Sequence, residues 1–580
     1  MNTQGEDVAS NLADDDIRID DTHDKLDQFE QFEGVDIDEQ FQRYETQYQE
    51  AMRHMSLWDR MVSLEIKVHF KNKRNMIWML SFFASMAGLL SGCDQSLISG
   101  ASLGYPSALN ASPNEQSLVS SLMPLGGVAG CILMSPLNEL IGRRTSVIGS
   151  CLAYTLGAGL CAGARSVHML FAGRFILGIG VGLESVVPAY VSECTPSAYR
   201  GNMVSLFQFN IALGEVLGYA IAAIFVEVHG GWRFILGSSL VFSTILFFGL
   251  FFLPESPRYL LHKGKVGLAF GVWQRLRDMN EQENKLEFLQ MMESLQQQEE
   301  SERYLNKKLI WFDFFTKPRC RRSIIYANIM IVLGQLTGVN AVMYYMSKLM
   351  ENIGFSSKDA VFMSLVGGGS LLLGTIPAIL FMDFCGRRFW ANAMLPGFFV
   401  GLVFVGVGYL IPVEKPAAKA VYLIGVILYM GFFGSYSCLT WVVPSEVYPT
   451  YLRSYGMTSS SGLLFLCSFI VTYNFTRMSN AMTNTGLTLG FYGGIAVIGW
   501  IYQLLCVPET KGKTLEEIDD IFSMPVSALM VINLVSVKRD FYNLFHGNWK
   551  KLVQGDSMDR VKEIAPAEGT KEAGKNTDRV

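Results

Sequence analysis

Apolar residues in this chain of 580 residues are concentrated in twelve long runs that polar connections separate, most of them short. Each run is long enough to cross the hydrocarbon core of a bilayer as a helix, which takes about 20 residues. The pattern therefore predicts an all-α polytopic membrane protein with twelve transmembrane helices. The runs lie near residues 76–100, 116–138, 145–165, 168–191, 203–226, 232–253, 324–347, 360–382, 390–412, 420–444, 456–476 and 486–507.

Composition supports this prediction and excludes other classes of protein. Hydrophobic residues make up 50% of the chain and charged residues 17%, with a mean hydropathy of +0.27. A soluble protein carries about 25% charged residues. The ten cysteines form no C-x-x-C motif, and the chain has no P-loop, no H-E-x-x-H motif and no Ser-centred nucleophile motif. We therefore expect no enzyme, no cofactor, no metal site and no nucleic-acid partner.

Polar stretches divide the chain into five regions. We expect a cytosolic, acidic and largely disordered tail, a six-helix bundle, a cytosolic central loop with surface helices, a second six-helix bundle and a cytosolic C-terminal tail. The corresponding residues are 1–75, 76–258, 259–322, 323–512 and 513–580. Basic residues are concentrated in the even-numbered loops, so the positive-inside rule places both termini in the cytosol.

Three details of this layout stay open. Asn110 and Asn474 begin N-x-S/T triplets in predicted outward positions, and the sequence does not decide whether either is glycosylated. The stretch Pro525–Val537 is apolar but too short to span a membrane. It is compatible with an amphipathic or partner-binding segment and with a disordered tail.

An internal repeat divides the predicted helices into six plus six. Gly142-Arg143-Arg144 follows the second run as Gly386-Arg387-Arg388 follows the eighth, and two further acid–base motifs recur in the same way. The repeated acids and arginines favour a gate network on the cytosolic face, because simple topology marking by positive charge would need no acids. The candidates are Glu139, Arg143, Arg144, Glu193, Arg200, Glu255, Arg258, Asp383, Arg387, Arg388, Glu446, Arg453 and Glu509.

These motifs resemble the sugar porter family of the major facilitator superfamily, and its fungal branch in particular. The similarity runs from about Met76 to Ile518. It implies two pseudo-symmetric six-helix halves that rock around a central site in alternating access, with a monosaccharide or polyol as substrate. It also implies a plasma-membrane location, and we expect a monomer surrounded by lipid.

A hydroxylated substrate needs neutral donors and acceptors in an otherwise apolar site. Asn340 and Tyr344 are four residues apart and share a helix face. In similar porters the residues at Gln335 and Asn340 bind sugar hydroxyls, and Gln208 and Trp441 match further binding positions. The alternative interpretations are interhelical hydrogen bonds for the amides and simple packing for the indole. Departures from the family pattern at Gly334, Leu371 and Ser468 argue mildly against a plain glucose facilitator.

Charged residues within the apolar runs are candidates for ion coupling. Asp94 in the first run and Arg174 in the fourth lie at about the same depth, which suggests a pair. Proton-coupled porters resemble this sequence at Asp94, whereas passive facilitators commonly have Asn there. We therefore expect proton symport, with a passive facilitator or a non-transporting sensor of the same fold as alternatives, and with a static salt bridge as the structural alternative.

Two further acids, Glu184 and Glu215, lie in the fourth and fifth runs. The resemblance gives them no role. They could serve as secondary acids in proton relay or polyol selectivity, or each could make a hydrogen bond across the bundle in its protonated form, and we favour the hydrogen bond.

Overall fold

The computed structural model describes residues 37–53, 73–196, 200–305, 310–449, 452–511, 518 and 521–546. Twelve helices in these parts of the chain are long and apolar enough to cross a membrane, which confirms the prediction. We label them α1 to α12. They are Lys73–Ala101, Pro113–Ile141, Arg143–Ala162, Val167–Cys194, Met203–Phe225, Gly231–Leu250, Pro318–Asn352, Ser357–Met382, Arg387–Leu410, Pro416–Val447, Tyr455–Ala481 and Gly486–Cys506.

Two bundles of six helices form the body of the molecule. In the first bundle α1 packs on α5, and α4 packs on both α2 and α3. In the second bundle α10 packs on both α8 and α9. The bundles meet where α2 contacts α11 and where α5 contacts α8. We call the two bundles the N-half and the C-half.

Several membrane helices are interrupted near their middles. A short 3₁₀ turn at Glu184–Val186 breaks α4, and α10 is broken between Ser437 and Leu439. In α7 the break falls at Gly338, whose φ of +92° is a left-handed conformation that favours glycine. A Cβ at this position would lie 2.6 Å from the Tyr492 ring. These interruptions lie close to the candidate substrate and coupling residues.

The two membrane faces of the molecule differ in charge. We call the face that carries the Arg143–Arg144 and Arg387–Arg388 pairs the basic face. The central region between the halves forms the helices Pro257–His262, Val266–Leu276 and Gln282–Leu305 at this face. The Arg277 side chain donates to the Cys194 carbonyl over 3.0 Å, which ties this helical layer to the end of α4.

The N-terminal region departs from the prediction of a largely disordered tail. Residues Ile37–Arg53 form a helix, so the prediction is wrong for this segment. The Phe41 ring packs 5.5 Å from the Phe270 ring, between centroids, and Glu45 accepts a 2.6 Å hydrogen bond from the Gln274 amide. The acidic composition of the region favoured disorder, whereas its aromatic residues Phe41 and Tyr44 pack on the central helices. Residues 1–36 and 54–72 lie outside the described part of the chain.

Candidate functional site

Asp94 of α1 and Arg174 of α4 form a buried ion pair in the middle of the N-half. Arg174 Nη1 donates to Asp94 Oδ1, and Arg174 Nε donates to the Val119 carbonyl of α2 over 3.1 Å. Asp94 Oδ2 and Arg174 Nη2 are buried and have no hydrogen-bond partner within the described residues. The pair is therefore joined by one hydrogen bond rather than two.

Tyr344 of α7 packs against α2, the helix whose backbone also binds Arg174. Its hydroxyl contacts Met123 Sδ of α2 at 3.2 Å, and the side chain is buried. Val119, whose carbonyl binds Arg174, lies one turn before Met123 on α2. Tyr344 thus contacts the same N-half helix that binds Arg174.

Gln208 and Trp441 form a direct hydrogen bond between the halves. Trp441 Nε1 of α10 donates to Gln208 Oε1 of α5 over 3.0 Å, and both side chains are buried. The Phe207 ring packs against the indole edge at a centroid distance of 5.1 Å. The structure therefore brings together two residues that are 233 positions apart in the chain.

Gln335 and Asn340 lie on either side of the break in α7. Asn340 Nδ2 donates to Gln335 Oε1, and the two side chains are only 5% and 8% exposed for Gln335 and Asn340 respectively. The left-handed turn at Gly338 lets two amides that are five residues apart face each other. A hydroxylated ligand could replace this internal hydrogen bond with its own donors and acceptors.

Glu184 and Glu215 are both buried, but neither makes a described ion pair. Glu184 lies in the 3₁₀ turn of α4, and both of its carboxyl oxygens lack a partner within the described residues. The hydrogen bond across the bundle that we favoured for Glu184 is therefore not found there. Glu215 lies seven residues after Gln208 on α5 and is 2% exposed.

The acid–base motif of the N-half forms a compact network on the basic face. Arg143 Nε lies 3.1 Å from Glu193 Oε2, and Ser256 Oγ donates to the same carboxylate. Glu255 Oε1 accepts the backbone N–H groups of Arg143 and Arg144 over 2.9 and 3.0 Å. Glu255 thereby caps the N-terminus of α3, where unpaired N–H groups favour an anion. Burial raises the pKa of the Glu255 carboxyl above its ordinary value, and the hydrogen bonds from the Ser256 and Arg144 N–H groups oppose this rise.

The C-half repeats the same arrangement. Arg387 Nη2 lies 2.7 Å from Glu446 Oε1, and Thr510 Oγ1 donates to Glu446 over 2.9 Å. Glu509 accepts the backbone N–H groups of Arg387 and Arg388 over 2.8 and 3.0 Å, so it caps α9. Every hydrogen bond and ion pair described for Glu193, Glu255, Glu446 and Glu509 has its partner in the same half. A latch that joins the two halves in another conformation stays a prediction.

The remaining members of the predicted gate network are placed differently. Glu139 is exposed and has no described polar contact, and Arg258 is partly exposed after the end of α6. Arg453 lies at the start of the helix that contains α11. The side chains of Arg200 and Asp383 lie outside the described part of the structure.

Several contacts of the site could not be found from the residue pattern. The Val119 carbonyl and the Met123 sulfur come from an apolar stretch of α2, and the Tyr154 hydroxyl donates to the Leu90 carbonyl over 3.0 Å. Backbone acceptors carry no signal in side-chain identity, so only the packing of the helices reveals them. Among the described residues, no group of His, Cys, Asp and Glu could hold a metal ion.

Comparisons with known proteins identify relatives of the whole membrane region. The model of the family described as "Sugar (and other) transporter" matches residues 80–522. The chain is 58% identical over 502 residues to the myo-inositol transporter FST1 of Gibberella moniliformis, covering 86% of this chain and 88% of that protein. It is 30% identical to the galactose-proton symporter of Escherichia coli, covering 78% of this chain and 96% of the symporter.

A solved structure has the same fold. The proton:xylose symporter XylE superposes with a TM-score of 0.68 at 24% sequence identity, covering 78% of this chain and 100% of that chain. The match over most of the chain indicates the same family as the duplicated acid–base networks and the broken α7 helix. The chain belongs to the sugar transporter family.

Proposed function

We propose that this protein is a symporter that moves a cyclic polyol, myo-inositol, across the plasma membrane together with a proton. The observation that carries the coupling is the buried Asp94–Arg174 pair, in which one carboxylate oxygen has no described partner. The choice of myo-inositol rests on the 58% identity to a transporter of that polyol over most of both chains. We further propose that the basic face is cytosolic and that the protein acts as a monomer.

Proton binding at Asp94 would change the electrostatics of the N-half. An ionised carboxylate inside a membrane protein is stabilised by its partner, and a protonated one is not held by Arg174 in the same way. Neutralising Asp94 removes its ionic attraction for Arg174, which keeps its hydrogen bond to the Val119 carbonyl. Arg174 binds the Val119 carbonyl and Tyr344 contacts Met123 one turn later on α2, so a shift of Arg174 would be transmitted through α2 to the helix that bears Asn340. This arrangement links proton occupancy to the conformation of α7.

Substrate binding would use the neutral amides and the indole. Gln208 accepts a hydrogen bond from Trp441 and Gln335 accepts one from Asn340, and a ligand would replace these contacts with its own hydroxyls. A polyol ring offers hydroxyls on its edge for the amides and C–H groups on its face for the indole. Because Gln208 and Trp441 belong to different halves, a ligand between them would favour approach of the halves.

The basic-face networks would keep each half rigid during this movement. Each network joins three segments of one half through a carboxylate-capped helix start and an arginine–glutamate pair. Near the opposite face the halves are in contact, since Ser99 donates to Ser347 over 3.2 Å and Tyr219 to the Met343 carbonyl over 2.8 Å. Alternating access would break these contacts and form new ones at the basic face.

Uptake in a cell that lacks its own hexose and inositol carriers tests this proposal. Labelled myo-inositol is supplied at mildly acidic pH while the external pH is recorded, with D-glucose, D-xylose and D-galactose as competitors. We expect concentrative inositol uptake with external alkalinisation. Uptake without alkalinisation or accumulation would indicate a passive facilitator, and silence with every sugar and polyol would indicate a sensor.

A further inference from the structure

The helix Val526–Phe545 follows the last membrane helix and is anchored to the C-half both directly and through the residues that precede it. Arg322 Nη1, near the start of α7, donates to the carbonyls of Phe522 and Ser523 over 3.0 and 2.7 Å. Arg388 Nη2, at the start of α9, donates to the Asn533 carbonyl over 2.9 Å. The Asn533 amide in turn donates to the Leu505 carbonyl at the end of α12 over 2.8 Å.

These anchors fix the position of the helix at the membrane boundary. Arg388 lies one residue after the start of α9, and Leu505 lies one residue before the end of α12. Asn533, in the first half of the helix, contacts both. The helix therefore lies beside the ends of two membrane helices on the basic face.

The distribution of polar and apolar side chains over the two sides of this helix differs from that expected at a water-exposed surface. The side that packs on the protein buries Ala528, Ile532, Asn533 and Ser536. The outward side begins with the exposed Ser527 in the first turn and continues, at helical spacing, with an apolar strip that consists of Val531, Leu534 and Val535. A helix at a water-exposed surface places apolar residues toward the protein and polar ones outward. Here two polar side chains face the protein, whereas the strip beyond the first turn is apolar and its Leu534 is 53% exposed.

The surroundings of the strip are also apolar. The helix packs against α12, and α12 exposes Ile498 and Ile501, whose side chains in a membrane helix face lipid. The apolar stretch of the helix is 12 residues long, from Val526 to Val537, and is too short to cross a bilayer. The next residues in the sequence are Lys538 and Arg539, which suit the anionic headgroups of a cytosolic leaflet.

We propose that Val526–Phe545 is an interfacial helix that lies in the membrane leaflet at the basic face, with Val531, Leu534 and Val535 in contact with lipid acyl chains. The partner is the bilayer itself, which such a helix enters by its apolar face to a shallow depth. Through the Arg388–Asn533 hydrogen bond the helix also connects that leaflet to the motif that begins α9. The inference requires only a membrane protein and is independent of the transported substrate.

Accessibility of a spin label at position 534 tests the proposal in the full chain reconstituted in phosphatidylcholine–phosphatidylserine vesicles. Eight of the ten cysteines are buried, so a background with Cys385→Ser and Cys506→Ser is suitable for labelling Leu534→Cys. Ile498→Cys on α12 is the lipid-facing control, and Glu281→Cys in the exposed part of the central region is the water-facing control. Retained uptake activity in each variant shows that the fold is intact.

Molecular oxygen is enriched in hydrocarbon, whereas a water-soluble nickel chelate is excluded from it. We expect the logarithm of the oxygen-to-nickel collision ratio to be positive at positions 534 and 498 and negative at position 281. A negative value at position 534 would overturn the proposal by placing the strip in water. Low collision rates with both reagents would also overturn it, because they would indicate that a second copy or another protein segment covers the strip.

Discussion

The two halves of this transporter are nearly identical at the basic face and different in the membrane interior. Glu255 caps α3 through the N–H groups of Arg143 and Arg144, and Glu509 caps α9 through those of Arg387 and Arg388. Gly142 and Gly386, which precede these helices, have the same φ of +96°. A duplicated structure that has remained alike in both halves is suited to a task that both halves share, namely rigid-body movement.

The membrane interior shows no such duplication. Asp94, Arg174, Glu184 and Glu215 are buried in membrane helices of the N-half. The described interior of the C-half carries neutral polar groups instead, among them Gln335, Asn340 and Trp441. If the proposed function is right, proton coupling belongs to the N-half, whereas the C-half contributes neutral groups to substrate recognition together with Gln208 of the N-half.

Replacing the acid of the coupling pair gives the largest expected effect. Asp94→Asn keeps the shape of the side chain but removes the group that exchanges the proton, so accumulation of myo-inositol against a gradient should be lost. Exchange of labelled for unlabelled substrate should persist, because the neutral site is untouched. The measurement is counterflow and net uptake in the same vesicles. Accumulation that persists in Asp94→Asn would remove the assignment of coupling to the N-half.

The duplicated helix starts predict equal losses of stability in the two halves. A Cβ at Gly142 would lie 2.6 Å from Glu255 Oε2, and a Cβ at Gly386 would lie 2.5 Å from Glu509 Oε2. Combined with the left-handed backbone, each Gly→Ala change should cost about 1–3 kcal/mol. Thermal inactivation in detergent measures the loss, and Gly149→Ala in α3, where a Cβ meets nothing within 4 Å, is the control. A loss of stability in only one of the two variants would contradict the similarity of the two halves at the basic face.

The hydrogen bond between the halves should affect substrate affinity more than accumulation. Trp441→Phe keeps an aromatic ring but removes the N–H group that binds Gln208. On the proposed function the indole N–H turns to a ligand hydroxyl when substrate binds, and loss of that hydrogen bond, worth about 1 kcal/mol, corresponds to about a fivefold rise in KM. Trp390→Phe is the matched control, since the Trp390 indole donates to the Ser435 carbonyl within the C-half over 3.3 Å. An equal rise in both variants would indicate general loosening of the C-half rather than a role in recognition.

The twelve helices could be predicted from the sequence, because an apolar run as long as the bilayer is thick must satisfy its backbone hydrogen bonds as a helix. Pairing of Asp94 with Arg174 could also be predicted, since depth in two helices follows from residue spacing. The helix Ile37–Arg53 could not be recognised, because its stability depends on contacts with a distant segment. Nor could the sequence show that Glu255 and Glu509 cap helix N-termini, since backbone N–H groups are common to nearly all residues.

The smallest effect is expected for a substitution of Glu184, which tests whether every buried acid of the N-half takes part in proton coupling. Neither of its oxygens has a partner within the described residues, and a carboxyl that is buried without a countercharge is stable only in its neutral form. Glu184→Gln should therefore leave accumulation and the pH profile of uptake unchanged, in contrast to Asp94→Asn. Uptake measured across a series of external pH values decides the point. A displaced profile in Glu184→Gln would make Glu184 a second proton carrier and would extend coupling from the single Asp94–Arg174 pair to the break in α4.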